Sequence, residues 1–200
     1  MQLDDLSPLE LRVRDRLRQE REGRAPKRLN IVYFPNSGLF QVCAEVAEVT
    51  EDITWLAKDM LFTMIQRNGV GLAAPQVGHH IRLFVVDIKW ARNIRESDPH
   101  VFINPVVTPV SEVDADPVKA TGQEGCLSFP GASVEVPRYA AVHVRALNLD
   151  GKPFEMYADG FLARVIQHES DHLNGVTIAP LLGRLQRQAV QKSVKKALRG

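Results

Sequence analysis

The segment from Gln167 to His172 combines two histidines and a glutamate at a spacing that suits metal chemistry. His168 and His172 lie four residues apart, so on a helix both imidazoles project from one face and can share a metal ion. Glu169 follows the first histidine, where its carboxylate can take a proton from a water on that metal. The alternative is a histidine pair satisfied inside the core, because so short a motif also arises by chance.

A metal site of this kind needs a third ligand, and the sequence after His172 contains neither a histidine nor an acidic residue. Upstream, the segment EGCLS contains Cys126, whose thiolate is a good ligand for a borderline metal ion. The alternative is that Cys126 is a small buried hydrophobe, the usual fate of a free cysteine and the one we expect for Cys43. Three protein ligands would leave one coordination position for a water, whose pKa the metal lowers.

A third segment, GVGLAAPQ, ends at Gln76 and combines two glycines with a side-chain amide. Its glycines permit close approach of another backbone, and the amide of Gln76 is a hydrogen-bond donor. The segment does not match a phosphate-binding loop, because the Lys-Ser/Thr ending is missing. A tight turn is the alternative.

Helices and antiparallel strands must position these segments. Apolar spacing and capping residues predict helices over Ser7–Glu22, Glu51–Gln66, Phe161–Leu173 and Leu182–Leu198. Residues rich in β-branched and aromatic side chains predict strands over Ile81–Ile88 and Val101–Val107, with a polar loop between them. Pro105 indicates an edge or a bulge in the second of these strands.

Two further alternating runs, from Val142 to Leu149 and from Phe154 to Met156, predict a hairpin that turns at Asp150-Gly151. The fold class is therefore α+β: antiparallel strands packed around a central metal-binding helix, with a helix at the C-terminus.

The composition is that of an ordinary globular domain. The 200 residues suit one catalytic domain, 44% of them are hydrophobic, and the formal net charge of +1 gives no indication of binding to DNA or to a membrane. No apolar run is long enough to span a bilayer, and the acidic N-terminus fits no targeting signal. We therefore expect a soluble, cytoplasmic protein whose two cysteines form no disulfide.

Taken together and in this order, GVGLAAPQ, EGCLS and QHESDH resemble the peptide deformylase family, whose pattern is GxGxAAxQ, EGCxS and HExDH. The resemblance covers residues from about Leu29 to Ala179. It divides the chain into an N-terminal helical extension and linker, residues 1–28, and a catalytic domain with a basic C-terminal helix, residues 29–200.

The resemblance also implies roles for particular residues. Cys126, His168 and His172 would hold the metal, and Glu169 would be the general acid and base. Gln76 and the backbone N–H of Leu127 would stabilise the oxyanion, while Gly71 and Gly125 would bind the substrate. The ligand set suits Zn, Fe, Co or Ni, whereas the resemblance implies Fe²⁺, replaceable by Zn²⁺ or Ni²⁺.

The function that follows is hydrolysis of the N-formyl group from the initiator formyl-methionine of nascent polypeptides, with release of formate. Another metal-dependent amidase or protease and a noncatalytic metal-binding or ribosome-associated protein are the alternatives. The terminal segment Leu181–Gly200 has six basic and no acidic residues, which indicates either ribosome contact or a solvated face.

Two positions depart from the family pattern. Residues Pro35–Phe40 replace a Pro-Asp-Pro-x-Leu-Arg motif, and this leaves the N-terminal packing open. Arg164 stands one turn before His168, where many bacterial members have an apolar residue. We expect it to be ion-paired or to face solvent rather than to contact substrate.

Overall fold

The computed structural model describes residues 24–92, 98–111 and 116–198, so the predicted helix Ser7–Glu22 lies outside the described residues. The α-helices are α1 (Glu51–Gln66), the single turn α2 (Ile88–Ala91), α3 (Gly160–Leu173) and α4 (Arg184–Ala197). The strands are β1 (Gly71–Ala73), β2 (Leu83–Asp87), β3 (Pro99–Pro109), β4 (Lys119–Glu124), β5 (Val134–Tyr139), β6 (Ala141–Leu147) and β7 (Pro153–Asp159). Short 3₁₀ helices span Ser37–Phe40, Ala74–Val77 and Ala179–Leu181.

Helix α1 has the predicted boundaries. The Thr50 hydroxyl accepts a hydrogen bond from the N–H of Ile53 at 3.4 Å, and Glu51 and Asp52 in the first turn complement the helix dipole. The glycine-rich segment that follows forms both the short strand β1 and a 3₁₀ turn, so a tight turn alone does not describe it.

The chain that precedes the domain lies against α1. Buried Asp59 accepts hydrogen bonds from Arg24 Nη2 at 2.6 Å and from the N–H of Lys27 at 2.8 Å. One turn later the Thr63 hydroxyl accepts from the N–H of Leu29 at 2.8 Å. A carboxylate inside a helix packing surface needs such partners, so these bonds fix the path of residues 24–29.

Five strands form one antiparallel sheet in the order β1-β2-β3-β6-β7. The strand predicted over Val101–Val107 is the longer β3, which lies inside the sheet between β2 and β6. Its register shifts between Ile103 and Val106, because Pro105 cannot donate to a neighbouring strand. Of the two possibilities for Pro105, the bulge is therefore right and the edge is wrong.

The predicted hairpin is formed by β6 and β7. Its turn is closed by the Asn148 side chain, whose Oδ1 accepts from the N–H groups of Asp150 and Lys152 at 3.0 and 2.9 Å. Gly151 supplies the positive φ of 71° that the turn requires.

A second, two-stranded sheet of β4 and β5 was not predicted from the sequence. Its strands give weak signals because most of β4 is exposed and contains Gly122, while β5 contains Pro137. The one-turn helix α2 lies in the region predicted to be loop. Its four residues are too few to show a helical period in the sequence. We call the pair of β4 and β5 the ribbon.

Helix α3 is the predicted apolar helix, and it contacts both the ribbon and the five-stranded sheet. Leu162, Ile166 and Leu173 are almost fully buried on its inner face. At the C-terminus α4 buries Val190 and Val194 against Phe129. The α+β class with a central helix is thus confirmed, and no helix in the described part of the chain is long and apolar enough to cross a bilayer.

Gly175, just beyond α3, should tolerate no side chain. Its φ is 69°, and a Cβ there would lie 2.5 Å from the carbonyl oxygen of Phe40. Gly175→Ala should lower the free energy of unfolding by about 1 to 2 kcal/mol for the left-handed backbone and by about 1 to 3 kcal/mol more for the clash. Urea denaturation measures this loss.

Gly160→Ala is the matched control, because its φ is also positive at 54° but a Cβ there would meet nothing within 4 Å. It should show the backbone cost alone. Equal losses in the two variants would mean that contact with Phe40 costs nothing.

Candidate metal centre

Helix α3 brings His168, Glu169 and His172 into the interior of the domain. All three side chains are buried, and the two imidazole rings lie 4.9 Å apart, centroid to centroid. This follows from the spacing of four residues, which stacks side chains on one face of a helix. The helix faces both sheets, so burial is imposed on the histidines by the surrounding strands.

Cys126 reaches the histidines from the segment that joins β4 to β5. Its carbonyl accepts a hydrogen bond from the N–H of Phe129 at 2.9 Å, which tightens the segment into a turn. The ring of Phe129 is fully buried and stacks on Phe34 at 5.1 Å. The cysteine loop is therefore anchored by an aromatic side chain in the core, with α4 packed against it.

The three donor groups meet closely enough to hold a metal ion. Cys126 Sγ lies 3.3 Å from His172 Nε2, and the ligand atoms of Cys126, His168 and His172 all lie within 4.8 Å of one another. Tetrahedral coordination by one thiolate and two imidazoles separates the donor atoms by roughly 3.3 to 3.6 Å. One thiolate with two imidazoles is also a donor set that binds borderline divalent metals.

The buried carboxylate of Glu124 orients His168. Glu124 Oε2 lies 2.9 Å from His168 Nδ1, which leaves Nε2 of the same ring for the metal. Arg138 donates to both oxygens of Glu124, from Nε at 2.9 Å and Nη2 at 3.0 Å, and Arg164 Nη1 donates at 2.8 Å. Burial would raise the pKa of Glu124, but the hydrogen bonds from His168 and Arg138 lower it to about 2.

Glu124 and Arg138 were not identified as site residues from the sequence. The available signal was the position of Glu124 two residues before Cys126, in the EGCLS segment. Arg138 lies on the unpredicted strand β5, so nothing in the sequence placed it beside α3.

The charge state of the histidines fits a cation at the cluster. Burial would lower the pKa of His168, but its hydrogen bonds to Cys126 and Glu124 raise it well above the usual value. The carboxylate of Glu124, which favours a proton on His168, also favours a metal ion in its place. Burial and the charge of His168 lower the pKa of His172, which keeps that imidazole neutral, as a metal ligand must be.

Glu169 is held in a water-poor position beside β1. Burial raises the pKa of its carboxyl to about 7, and Oε2 has no hydrogen-bond partner among the described residues. A Cβ added at Gly71 would lie 2.8 Å from Cγ of Glu169 and closer still to Oε1. The glycine therefore makes room for the carboxylate.

Gln76 presents its amide nitrogen to the cluster. Its Oε1 accepts a hydrogen bond from the N–H of Ala73 at 2.7 Å, which fixes the orientation of the amide. Its Nε2 then lies 3.3 Å from Cys126 Sγ and 3.4 Å from the Ser128 hydroxyl.

A cavity of about 600 Å³ opens beside the cluster. The residues predicted for the site that line it are Gly71, Gln76, Gly125, Cys126, Leu127, His168 and Glu169. His172 joins the cluster through its contact with Cys126, while Cys43 is buried elsewhere, as expected. Arg164 is ion-paired rather than solvent-facing, and it also forms part of the cavity wall.

Comparisons with known proteins agree with this geometry. The sequence profile of the family described as "Polypeptide deformylase" matches residues 28–188. A "Peptide deformylase" from Acinetobacter baumannii is 44% identical over 171 residues, which are 86% of this chain and 92% of that protein. One from Pseudomonas aeruginosa is 42% identical over 168 residues, 84% of this chain and 95% of that protein.

Solved structures give the same result. The crystal structure of a peptide deformylase from Legionella pneumophila has a TM-score of 0.73 and 36% identity, covering 86% of this chain and 96% of that one. That of the Ehrlichia chaffeensis enzyme in complex with actinonin has a TM-score of 0.74 and 35% identity, covering 87% of this chain and 99% of that one.

Cys126→Ser should weaken metal binding by at least about tenfold, because a hydroxyl replaces a soft thiolate. Loss of a group that only hydrogen-bonds to a metal ligand already lowers metal affinity by about tenfold or more. Metal content after dialysis and competition with a chelator measure the loss. Cys43→Ala is the control and should bind metal as the wild type does. Wild-type affinity in Cys126→Ser would exclude this thiol as a ligand.

Proposed function

The chain belongs to the peptide deformylase family, and from this premise we propose that Cys126, His168 and His172 hold a catalytic divalent metal ion. Members of that family are hydrolases that act on formyl-methionine peptides, so the chain is an enzyme that removes the N-formyl group from nascent peptides. The finer proposal is a metal-dependent hydrolysis that releases formate. It is supported by one observation above all: Cys126, His168, Glu169 and Gln76 line one cavity, and His172 completes the donor cluster beside it.

Glu169 is the residue that we assign to proton transfer. When bound, a divalent metal with three protein ligands supplies a Lewis acid that lowers the pKa of a water molecule toward neutrality. The carboxylate of Glu169 would take the proton of that water, and its unpartnered Oε2 is free to do so. The same carboxyl group would then donate the proton to the departing amine.

Gln76 and Leu127 are the donors that we assign to the developing oxyanion. The amide of Gln76 is already oriented by the N–H of Ala73, so it loses little freedom when it donates. The backbone N–H of Leu127 would be the second donor, from the loop that carries Cys126. Loss of one such donor typically costs about 3 to 4 kcal/mol of transition-state stabilisation.

The cavity suits the side chain of methionine and an extended peptide. Val70, Leu127 and Phe161 are among its apolar lining residues. Strand β1 pairs with β2 along one edge and with no other strand in the described part of the chain, so the backbone of Gly71 can pair with the substrate along the other edge. Gly125, on the ribbon side of the cavity, would contact the same peptide.

The remaining parts of the proposal concern the metal, the domains and the setting. Iron as Fe²⁺ is the proposed metal, with Zn²⁺ or Ni²⁺ as substitutes, since the ligand set accepts each of them. Residues 29–200 would form the catalytic domain and residues 1–28 an extension. The enzyme would act in the cytoplasm, where nascent chains emerge.

Contact with the ribosome would involve α4. Its basic residues Arg184, Arg187, Lys192, Lys195 and Lys196 are all exposed. Such a surface can bind RNA phosphates by releasing counterions, which makes the binding sensitive to salt. Cosedimentation with ribosomes at rising salt separates this contact from a merely solvated face.

Glu169→Ala should retain the metal and lose at least about 100-fold in kcat, because the proton acceptor is gone while all three ligands remain. Steady-state kinetics with formyl-Met-Ala-Ser and metal analysis of the same sample measure both. Glu155→Ala, an exposed glutamate on β7, is the control. A kcat within tenfold of the wild type would remove Glu169 from the mechanism.

The decisive test of the proposed function compares formyl-Met-Ala-Ser with acetyl-Met-Ala-Ser under anaerobic conditions. A formyl carbon carries only hydrogen, whereas an acetyl group must place a methyl group among Gly71, Gln76 and Leu127. Overpacking costs about 1 to 3 kcal/mol, and misplacement of the reacting atoms adds to it. The acetyl peptide should therefore react at least roughly 100-fold more slowly in kcat/KM, and formate should be the product from the formyl peptide.

Comparable kcat/KM values for the two peptides would mean that the site does not discriminate at the acyl carbon, and the activity would be that of a broader amidase. Cleavage of internal peptide bonds would indicate a protease.

A further inference from the structure

The metal donors come from two parts of the fold that no shared sheet connects. The loop that joins the two strands of the ribbon carries Cys126, whereas α3 carries His168 and His172. Within the described residues, β4 and β5 pair only with each other. Side-chain contacts between the ribbon and α3, together with the packing of Phe129 in the core, therefore set the separation of the thiolate from the imidazoles.

Arg164, on α3, makes hydrogen bonds to both strands of the ribbon. From α3 its Nη2 donates to the carbonyl of Ala120 at 2.7 Å, and its Nη1 donates to the carbonyl of Val136 at 2.7 Å. Nη1 also approaches the carbonyl of Gly122 at 3.3 Å and the carboxylate of Glu124 at 2.8 Å. One guanidinium thus binds both strands of the ribbon.

The ribbon is shaped to receive this side chain. A Cβ at position 122 would lie 3.0 Å from both Cζ and Nη2 of Arg164, so glycine there makes room for the guanidinium. The Arg164 side chain is only 11% exposed, although it lies at the cavity wall. Its two terminal nitrogens are occupied by protein acceptors, which argues against a direct contact with substrate.

Arg138 makes a second connection between the same two elements, from the ribbon to α3. It starts on the ribbon, and its Nη1 donates to Asp171 of α3 at 2.5 Å. It also neutralises Glu124 with two hydrogen bonds. Loss of Arg164 would therefore leave Glu124 ion-paired, but it would remove the contacts with three ribbon carbonyls.

We propose that Arg164 is a positioning residue, which holds the ribbon and Glu124 against α3 and so sets the geometry of Cys126, His168 and His172 for metal binding. This inference rests on the metal site of the proposed function. An arginine suits this role because its planar fork presents donors on separate nitrogens to both strands, whereas lysine has all three of its N–H donors on one nitrogen.

The test measures metal affinity rather than activity. Wild type, Arg164→Met and Arg164→Lys are stripped of metal, and Zn²⁺ binding is measured by competition with a chromogenic chelator. The Co²⁺ forms are compared by their visible d–d spectra, and the melting temperatures of the metal-free forms are recorded. Arg187→Met is the matched control, because Arg187 also binds two backbone carbonyls, of Ala179 and Leu182, outside the site.

Arg164→Met should raise the Kd for Zn²⁺ by about 10- to 100-fold, the usual effect of an outer-shell partner. Its Co²⁺ spectrum should change, Arg164→Lys should lie between it and the wild type, and Arg187→Met should bind within about threefold of the wild type. A melting temperature lowered equally in Arg164→Met and Arg187→Met, with Zn²⁺ affinity and Co²⁺ spectrum unchanged, would overturn the proposal.

If Arg164→Met does not fold, Arg164→Lys decides: wild-type affinity together with a wild-type Co²⁺ spectrum overturns the positioning role, and a change in either supports it. Failure of the wild type itself to bind Zn²⁺ or Co²⁺ would overturn the proposed metal site as well. Zn²⁺ binding as tight in every Arg164 variant as in the wild type would overturn the positioning role of Arg164 and leave the proposed metal site standing.

Discussion

The carboxylate of Glu124 lies at the junction of the ribbon and α3, and it has hydrogen bonds to His168, Arg138 and Arg164. An ionised group in this position is costly unless it is fully paired, because burial removes its hydration. Two guanidinium groups and an imidazole meet that requirement. The ribbon, α3 and the orientation of His168, one of the proposed metal ligands, consequently depend on the same buried charge.

Sequence patterns predicted those parts of the fold that depend on local order. The boundaries of α1 follow from Thr50 and the apolar spacing after it, and the β6–β7 hairpin follows from Asp150-Gly151. The closeness of His168 and His172 was predicted because a spacing of four residues places both side chains on one face of a single helix. In each case the residues that determine the structure lie close together in the chain.

The sequence did not reveal the features that depend on distant contacts. Strand β4 has little apolar alternation, and the ribbon is also bound by side chains of α3 such as Arg164. Glu124 and Arg138 gain their importance only when β5 is placed beside that helix. Arg164 was expected to be ion-paired or solvent-facing, but its three carbonyl partners could not be read from its position one turn before His168.

The close approach of Gly122 to Arg164 couples these two positions in evolution. A Cβ at position 122 would lie 3.0 Å from the guanidinium, so the arginine would have to shift by a few tenths of an ångström to accept a side chain there. Replacement of the glycine would therefore strain the hydrogen bonds of Arg164 to the ribbon carbonyls. Selection on position 122 should therefore depend on whether position 164 is an arginine, although the two residues lie on different elements of the fold.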